Sequence, residues 1–343
     1  MLSRVADSIY WMARYFERAE NVARFIDVTL NLSLDIGLET AQQWAPLVYI
    51  TGDHEEFIER YGEPTRQNVI RFLTFDEKNT NSILSCLRSA RENARSVREM
   101  MSSQMWEELN KFYLMVRSAR EADVYEQPYE FFNRLKLSGA LLEGLAETTM
   151  SRGTAWHFRR LARFLERADK TSRILDVKYY LLLPSVADVG TPLDSNQWAA
   201  LLKSASALEM YRQTHGRITP TQVADFLILD RDFPRAMHFC LIRAEQSLLA
   251  ITGGTPNTYR NLAEQRLGRL RAELDYANIK EIIGSGLHEF IDGFQTELND
   301  VGAAIFDTFF AVPGSVPHVE SSQTTASGTM QQSMGAMTQS LRV

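Results

Sequence analysis

Arg14-Tyr-Phe-Glu-Arg-Ala-Glu-Asn-Val-Ala-Arg-Phe-Ile-Asp-Val28 recurs later in the chain as Arg163-Phe-Leu-Glu-Arg-Ala-Asp-Lys-Thr-Ser-Arg-Ile-Leu-Asp-Val177, with seven of the fifteen positions identical. Self-similarity over such a distance is the signature of a repeated structural unit. Six further pairs extend it at one common offset of 154: Trp44 with Trp198, Gly62 with Gly216, Thr65 with Thr219, Phe72 with Phe226, Asp76 with Asp230, and Cys86 with Cys240. The opening match has an offset of 149 (163 minus 14), so the second copy carries five extra residues. They are placed most simply between Leu183 and Ser195, where Pro184, Gly190 and Pro192 mark a loop. The pattern predicts a first repeat over residues 1–150, a second over 151–312, and a separate tail over 313–343.

Within each repeat the apolar residues recur at three and four, and no period-2 run is sustained, so the fold class is all-α with the units packed as helical bundles. Each copy reads as a long helix, two shorter ones and three more. The long helices are expected at residues 2–34 and 153–183. Thr219-Pro220 supplies an N-cap with proline in the first turn, Asp230 precedes a helix drawn to contain Pro234, and Gly253-Gly254 ends that helix. Pro64-Thr65 and Asp76 are assigned the same work in the first copy. After Val312 the composition turns to Pro, Gly, Ser, Thr and Gln with scattered methionines, which predicts a disordered tail.

The 343 residues are 45% apolar and 23% charged, enough to bury a substantial core. A net charge of −6 and a pI near 5.7 leave no electrostatic footprint for nucleic acid. The N-terminal segment is charged and amphipathic, with no uninterrupted apolar stretch of a signal peptide or membrane span. Cys86 and Cys240, the two cysteines, lie in apolar helical patterns and are expected buried and unpaired in a reducing compartment. The expectation is a cytoplasmic protein with no membrane and no nucleic-acid partner.

On a helical wheel Met12, Phe16, Ala19, Ala23 and Ile26 form an apolar face, while Asp7, Tyr10, Arg14, Glu17, Glu20, Asn21 and Arg24 lie opposite. Arginine and carboxylate alternate there at three- and four-residue spacing, so Glu20 can reach Arg24, and Glu17 can reach Arg14 or Asn21. The second copy repeats the pattern with Arg159, Arg163, Glu166, Asp169 and Arg173. Two readings fit this spacing. In one, the face is a salt-bridged surface or a seam in which the long helices interlock their charges. In the other, the guanidinium forks present donors to a phosphate or carboxylate while Glu17 and Glu166 orient them or hold a hard cation.

Other constellations carry less. His54-Glu55-Glu56 with Glu59, and His288-Glu289 with Asp292, set ligand types one turn apart, but neither forms the Glu-x-x-His pairs of a di-iron bundle nor His-Glu-x-x-His, so no metal and no cofactor are expected. A Gly-rich phosphate loop and a Gly-x-Ser-x-Gly elbow are both missing from the sequence. The stretch Ala90-Arg-Glu-Asn-Ala-Arg95, followed by Arg98, Glu99 and Trp106, is a dense polar stripe.

Met1-Leu-Ser-Arg4, Tyr10-Trp11, Arg14-Tyr15, Glu17-Arg18-Ala19-Glu20 and Arg24, with the stripe from Ala90 to Arg95 and Trp106, resemble the bacterial alpha-E domain family over residues 1 to about 311. The resemblance implies an all-helical protein. It also implies partners, because such proteins are encoded beside or fused to circularly permuted ATP-grasp ligases and transglutaminase-like peptidases and are thought to serve peptide synthesis or modification. By this likeness the positions to watch are Arg14, Glu17, Arg18, Glu20 and Arg24, with Arg91, Asn93 and Arg95; in the second copy they are Arg163, Glu166 and Arg173. That copy departs at Arg160, where the first has Trp11, and at Asp169, where the first has Glu20.

Three functions follow as alternatives. The first is an accessory protein that docks an ATP-grasp ligase and uses the Arg/Glu face to bind an anionic group or the partner. The second is an enzyme that forms or processes an amide bond at the same cluster, with a carboxylate as general base. The third is a scaffold. If Glu17 organises an anion site, replacing it by glutamine should alter activity without unfolding the protein.

Overall fold

The computed structural model describes residues 1–36, 41–180 and 192–311; the 313–343 tail and most of the 183–195 loop lie outside them. All regular elements among the described residues are helical. The first eight α-helices are α1 (Ser3–Ile36), α2 (Ala41–Thr51), α3 (His54–Tyr61), α4 (Arg66–Thr74), α5 (Ile83–Ser96), α6 (Ser103–Arg117), α7 (Glu121–Glu126) and α8 (Pro128–Thr149). The next eight are α9 (Thr154–Tyr180), α10 (Pro192–Ser204), α11 (Leu208–Thr214), α12 (Pro220–Leu229), α13 (Met237–Thr252), α14 (Leu262–Asp275), α15 (Ile279–Ser285) and α16 (Leu287–Phe309). The sequence reading is too coarse here, since it expects six helices per unit. Helices as short as α7 and α15 span less than two turns and leave no periodicity to read.

Capping chemistry sets many of the starts. Thr65, Ser82, Ser102, Thr219 and Asn261 each accept a hydrogen bond from a backbone N–H in the first turn of α4, α5, α6, α12 and α14. Pro220 sits in the first turn of α12, and Gly253 ends α13 in the left-handed region at φ 71°. Three assignments change. Pro234 precedes α13 rather than lying in it, because Asp230 folds the chain into a turn by accepting from the Asp232 and Phe233 amides. Asp76 likewise accepts from the Lys78 amide, and Ser82 is the cap of α5. Pro192 to Ser195 belong to α10, where Pro192 opens the helix.

The long helices α1 and α9 pack against each other at the centre. Helices α5 and α8 cover α1, and α13 and α16 cover α9 in the same order. The second helix of each set crosses over: α2 packs on α9, and α10 packs on α1. Positions offset by 154 make matching contacts. Phe57 and Phe72 meet edge-on at 5.2 Å, as do Tyr211 and Phe226 at 5.6 Å. Gly52 and Ser206 both take positive φ, 81° and 49°. One continuous apolar core runs through both sets, joined by contacts such as Tyr10 with Phe310 at 5.4 Å.

Candidate functional site

At the α1/α9 contact the polar face of α1 turns inward. Glu17 is 1% exposed, Glu20 4% and Asn21 1%, so the wheel's solvent side is covered by α9 and by the residues just before α13. Burying a carboxylate costs several kcal/mol unless it is paired and hydrogen-bonded. Glu17, Glu20, Glu166 and Asp169 each have cationic partners.

The pairing is reciprocal. Arg167 on α9 donates through Nε and Nη2 to the two carboxylate oxygens of Glu17 on α1, at 2.7 and 2.9 Å. Arg18 on α1 donates through Nε and Nη2 to the two oxygens of Glu166 on α9, at 2.8 and 3.3 Å. Each Glu-Arg dipeptide thus gives its carboxylate to the other's guanidinium in a bidentate fork. Adjacent residues on a helix point in different directions, and each Glu here finds its fork on the opposite helix rather than in its own dipeptide.

Two lobes surround this exchange. Around Glu17, Arg235 donates to Glu20 at 2.8 Å and to Asn21 at 3.1 Å, and Arg24 donates to Glu20 at 2.6 Å. Asn21 donates to Glu17 at 3.0 Å, and Arg24 reaches the Ser206 hydroxyl. Around Glu166, Arg14 lies at 2.8 Å and Lys170 at 3.5 Å. Arg173 pairs with Asp169 at 3.0 Å and donates to the Ile50 carbonyl at 2.9 Å, while Arg18 also donates to Asn81 at 3.0 Å. The lobes exchange one cation. Position 21 is Asn where its counterpart 170 is Lys (offset 149), and position 81 is Asn where its counterpart 235 is Arg (offset 154). Each lobe therefore receives one extra positive charge, from the long helix in one and from the turn before α13 in the other.

The electrostatics follow from burial against this cation excess. Burial alone would raise the Glu17 carboxyl, but the charges of Arg167 and Arg235 hold it well below the usual carboxylate range. Glu166 is brought to about 2, against the same burial, by Arg18, Arg14 and Lys170. Asp169 is lowered by Arg173 and Lys170. The excess cations bear the cost: burial and then repulsion from Arg24 and Arg167 lower the Arg235 guanidinium to about 10. Burial likewise lowers Arg163 to about 10, with Glu143 opposing and Arg167 and Arg159 adding to the fall. Glu143 on α8 binds both Arg159, at 2.8 Å, and Arg163.

The positions singled out from sequence thus separate into two groups. Arg14, Glu17, Arg18, Glu20, Arg24, Arg163, Glu166 and Arg173 meet in the α1/α9 seam. Arg91, Asn93 and Arg95 lie elsewhere: Arg91 donates to Asn110 at 2.7 Å and rests over Trp106 and Tyr113, Asn93 donates to the Ser89 carbonyl, and Arg95 pairs with Glu92. Within α1, Glu17 reaches Asn21 and Glu20 reaches Arg24, whereas Arg14 goes to Glu166 instead of Glu17. Sequence reasoning passed over Arg167, although it is the counterpart of Arg18. Arg235 and Glu143 carried no local signal, lying 218 and 126 positions from Glu17.

The histidines proposed as ligand-type pairs have other contacts. His54 stacks on Tyr49 at 4.0 Å, and His288 pairs with Asp176 at 2.6 Å. Among the described residues no group of three or more His, Cys, Asp or Glu is placed to hold a metal ion. No helix among them is long and apolar enough to cross a membrane. Cys86 and Cys240 are buried and unbonded to each other, with Sγ atoms directed at the carbonyls of Thr80 and Pro234.

A family model named Alpha-E, described as a predicted alpha-helical domain with a conserved ER motif, matches residues 1–310. The Glu-Arg dipeptides in the seam, Glu17-Arg18 and Glu166-Arg167, have that composition. Similar curated proteins include an uncharacterised protein of Mycobacterium bovis, 24% identical over 346 residues, and two uncharacterised proteins of Mycobacterium tuberculosis, 24% and 23% identical. The alignments cover 91% of this chain but 37% of each relative, so the chain spans little more than a third of their length. No solved structure matches.

Proposed function

The chain belongs to the Alpha-E family, and from that premise we propose that it is a bacterial cytoplasmic accessory protein acting with an ATP-grasp ligase in peptide or amide-bond synthesis or modification. In this reading the Glu-Arg dipeptides are a joint. They weld two copies of one helical unit by exchanging carboxylates across α1 and α9, and so fix the register of the surface offered to a partner.

The observation that carries the accessory reading over an amide-forming enzyme is the commitment of both glutamates. A general base must reach substrate and hold a pKa near the working pH. Glu17 and Glu166 are buried, hydrogen-bonded to guanidinium groups, and held far below that range. Buried ion pairs of this kind contribute little net stability over an apolar pair, and their best-attested use is to specify one arrangement. Anionic groups of a partner would be met at the rim, where the side chains of Arg14 and Arg18 are 16% and 17% exposed.

The ligase as partner rests on the family resemblance, as does a transglutaminase-like protein. The test is to co-express this chain with an ATP-grasp ligase from its own genome, ask whether they co-elute, and measure ligase turnover with and without it. Co-elution with a change in turnover is expected. Two proteins that neither bind nor affect each other's rate would refute the assignment, and amide formation by the chain alone would replace it with the enzyme.

A further inference from the structure

Away from the seam, α9 and α13 carry a second group of cations with a different environment. The Arg160 guanidinium lies 5.0 Å from the Trp156 ring centre and 5.3 Å from that of Phe164. Arg243 lies 4.8 Å from the ring of Phe239, and the Phe164 and Phe239 rings touch edge-on at 5.8 Å. Two guanidinium groups from two helices thus rest on adjoining aromatic rings. Among the described residues neither has a carboxylate at ion-pair distance, and Arg243 donates to Gln246 at 3.1 Å. Nearby Arg152, which stacks on Trp156 at 4.4 Å, is by contrast neutralised by Glu147 at 2.9 Å.

This arrangement is costly if it does nothing. Like charges set together repel, and repulsion from Arg243 adds to burial in lowering the Arg160 guanidinium, with the charge of Glu147 opposing. Packing does not require it either, because the counterparts in the first half are neutral: Trp11 stands at the place of Arg160 (offset 149) and Ser89 at that of Arg243 (offset 154). There Trp11 simply stacks with Tyr15 at 5.5 Å. Of the rings beneath the two cations only Phe164 has an aromatic counterpart, Tyr15; Asp7 and Ser85 stand at the places of Trp156 and Phe239, so the second half alone combines these rings with two charges. Stacking on rings fixes the plane of a guanidinium while leaving its N–H edge free, which suits a planar fork for a bidentate oxyanion.

We propose that Arg160 and Arg243 form a binding site for a doubly charged oxyanion of the phosphoryl type, bridged between α9 and α13 and separate from the Glu-Arg seam. Two guanidinium groups without a carboxylate at ion-pair distance match a dianion in charge, and the N–H groups that Arg243 does not commit to Gln246 and those of Arg160 supply the donors. The site occurs once per chain, because the first half lacks both cations.

The test uses the full chain and inorganic phosphate as the probe, by isothermal titration at fixed ionic strength, with acetate as a monoanion control. Wild type is expected to bind one phosphate per chain and acetate at least tenfold more weakly. Arg160→Gln and Arg243→Gln should each weaken phosphate binding at least tenfold while leaving the phosphate-free melt unchanged. Arg160→Lys should bind between wild type and Arg160→Gln, since it keeps the charge and loses the fork, and it serves if the glutamine variant does not fold. Arg88→Gln, at an exposed arginine paired with Glu77, should bind like wild type. Absence of phosphate binding, equal affinity for acetate, or binding unchanged in both glutamine variants would each overturn the proposal.

Discussion

Glu17 and Arg167, 150 positions apart in sequence, form a bidentate ion pair buried between the two longest helices, and Arg18 and Glu166 form its mirror. The pairs share a backbone on each side, so the four side chains stand or fall together.

Glu17→Gln is therefore expected to destabilise the fold and not merely to alter a surface. Removing one partner of a buried pair leaves Arg167 without its counter-charge, which costs about 3–5 kcal/mol, while Arg235 keeps Glu20 at 2.8 Å. Adding Arg167→Met to that variant should recover part of the loss, because it removes the stranded charge that the single variant leaves buried. Urea unfolding of the single and double variants checks this. A single variant within about 0.5 kcal/mol of wild type would show that the pair is not buried in solution.

Stability should fall in acid. The folded-state pKa of Glu166 is about 2, below the roughly 4.3 of an unfolded glutamate, and Glu17, Asp169 and Glu143 are shifted the same way. Groups with depressed folded pKa values contribute their full stabilisation above the unfolded value and lose it as pH falls through the folded one. The loss should thus begin near pH 5 and continue towards pH 2. Denaturant unfolding followed from pH 7 to pH 2 measures it, and a flat profile across that window would contradict the shifts.

Two glycines on α8 should respond in opposite directions. A Cβ on Gly139 would lie 2.8 Å from Cγ of Glu20 and 2.9 Å from its Cδ, inside the seam, so Gly139→Ala should destabilise by about 1–3 kcal/mol. A Cβ on Gly144 meets nothing within 4 Å, so Gly144→Ala should stabilise the helix by about 0.5–1 kcal/mol. Thermal melts of the two variants distinguish close packing at Glu20 from a general preference for alanine in α8.

The thiols offer a probe of opening. Cys86 and Cys240 are fully buried, and burial pushes both thiols up to about 12. An aromatic disulfide reagent at pH 8 should label neither in the native protein and both in urea. Rapid labelling of the native chain would mean that the core beside the seam opens readily.

Arg91 should be energetically independent of the seam. It rests on Trp106 and Tyr113 and shares no partner with Arg18. A double-mutant cycle of Arg91→Ala with Arg18→Ala is expected to be additive within about 0.5 kcal/mol; a larger coupling would join the two groups into one site.

By itself the sequence determined the helical class, the family and the contacts that one helix can make alone. Spacing of four along α1 specifies Glu17 to Asn21 and Glu20 to Arg24, because those side chains lie on one face whatever surrounds the helix. The starts of α4 and α12 were legible for the same reason, since Thr65 and Thr219 bond to amides three residues on. What only the tertiary structure decided was which way the polar face points and who neutralises it. A helical wheel separates polar from apolar but has no term for a second helix whose charges complement the first. The pairs that close the seam join residues 148, 150 and 218 positions apart. Partners at such separations are chosen by how α1, α9 and the turn before α13 pack, and the cost of burying a lone charge then requires a cation beside each buried carboxylate.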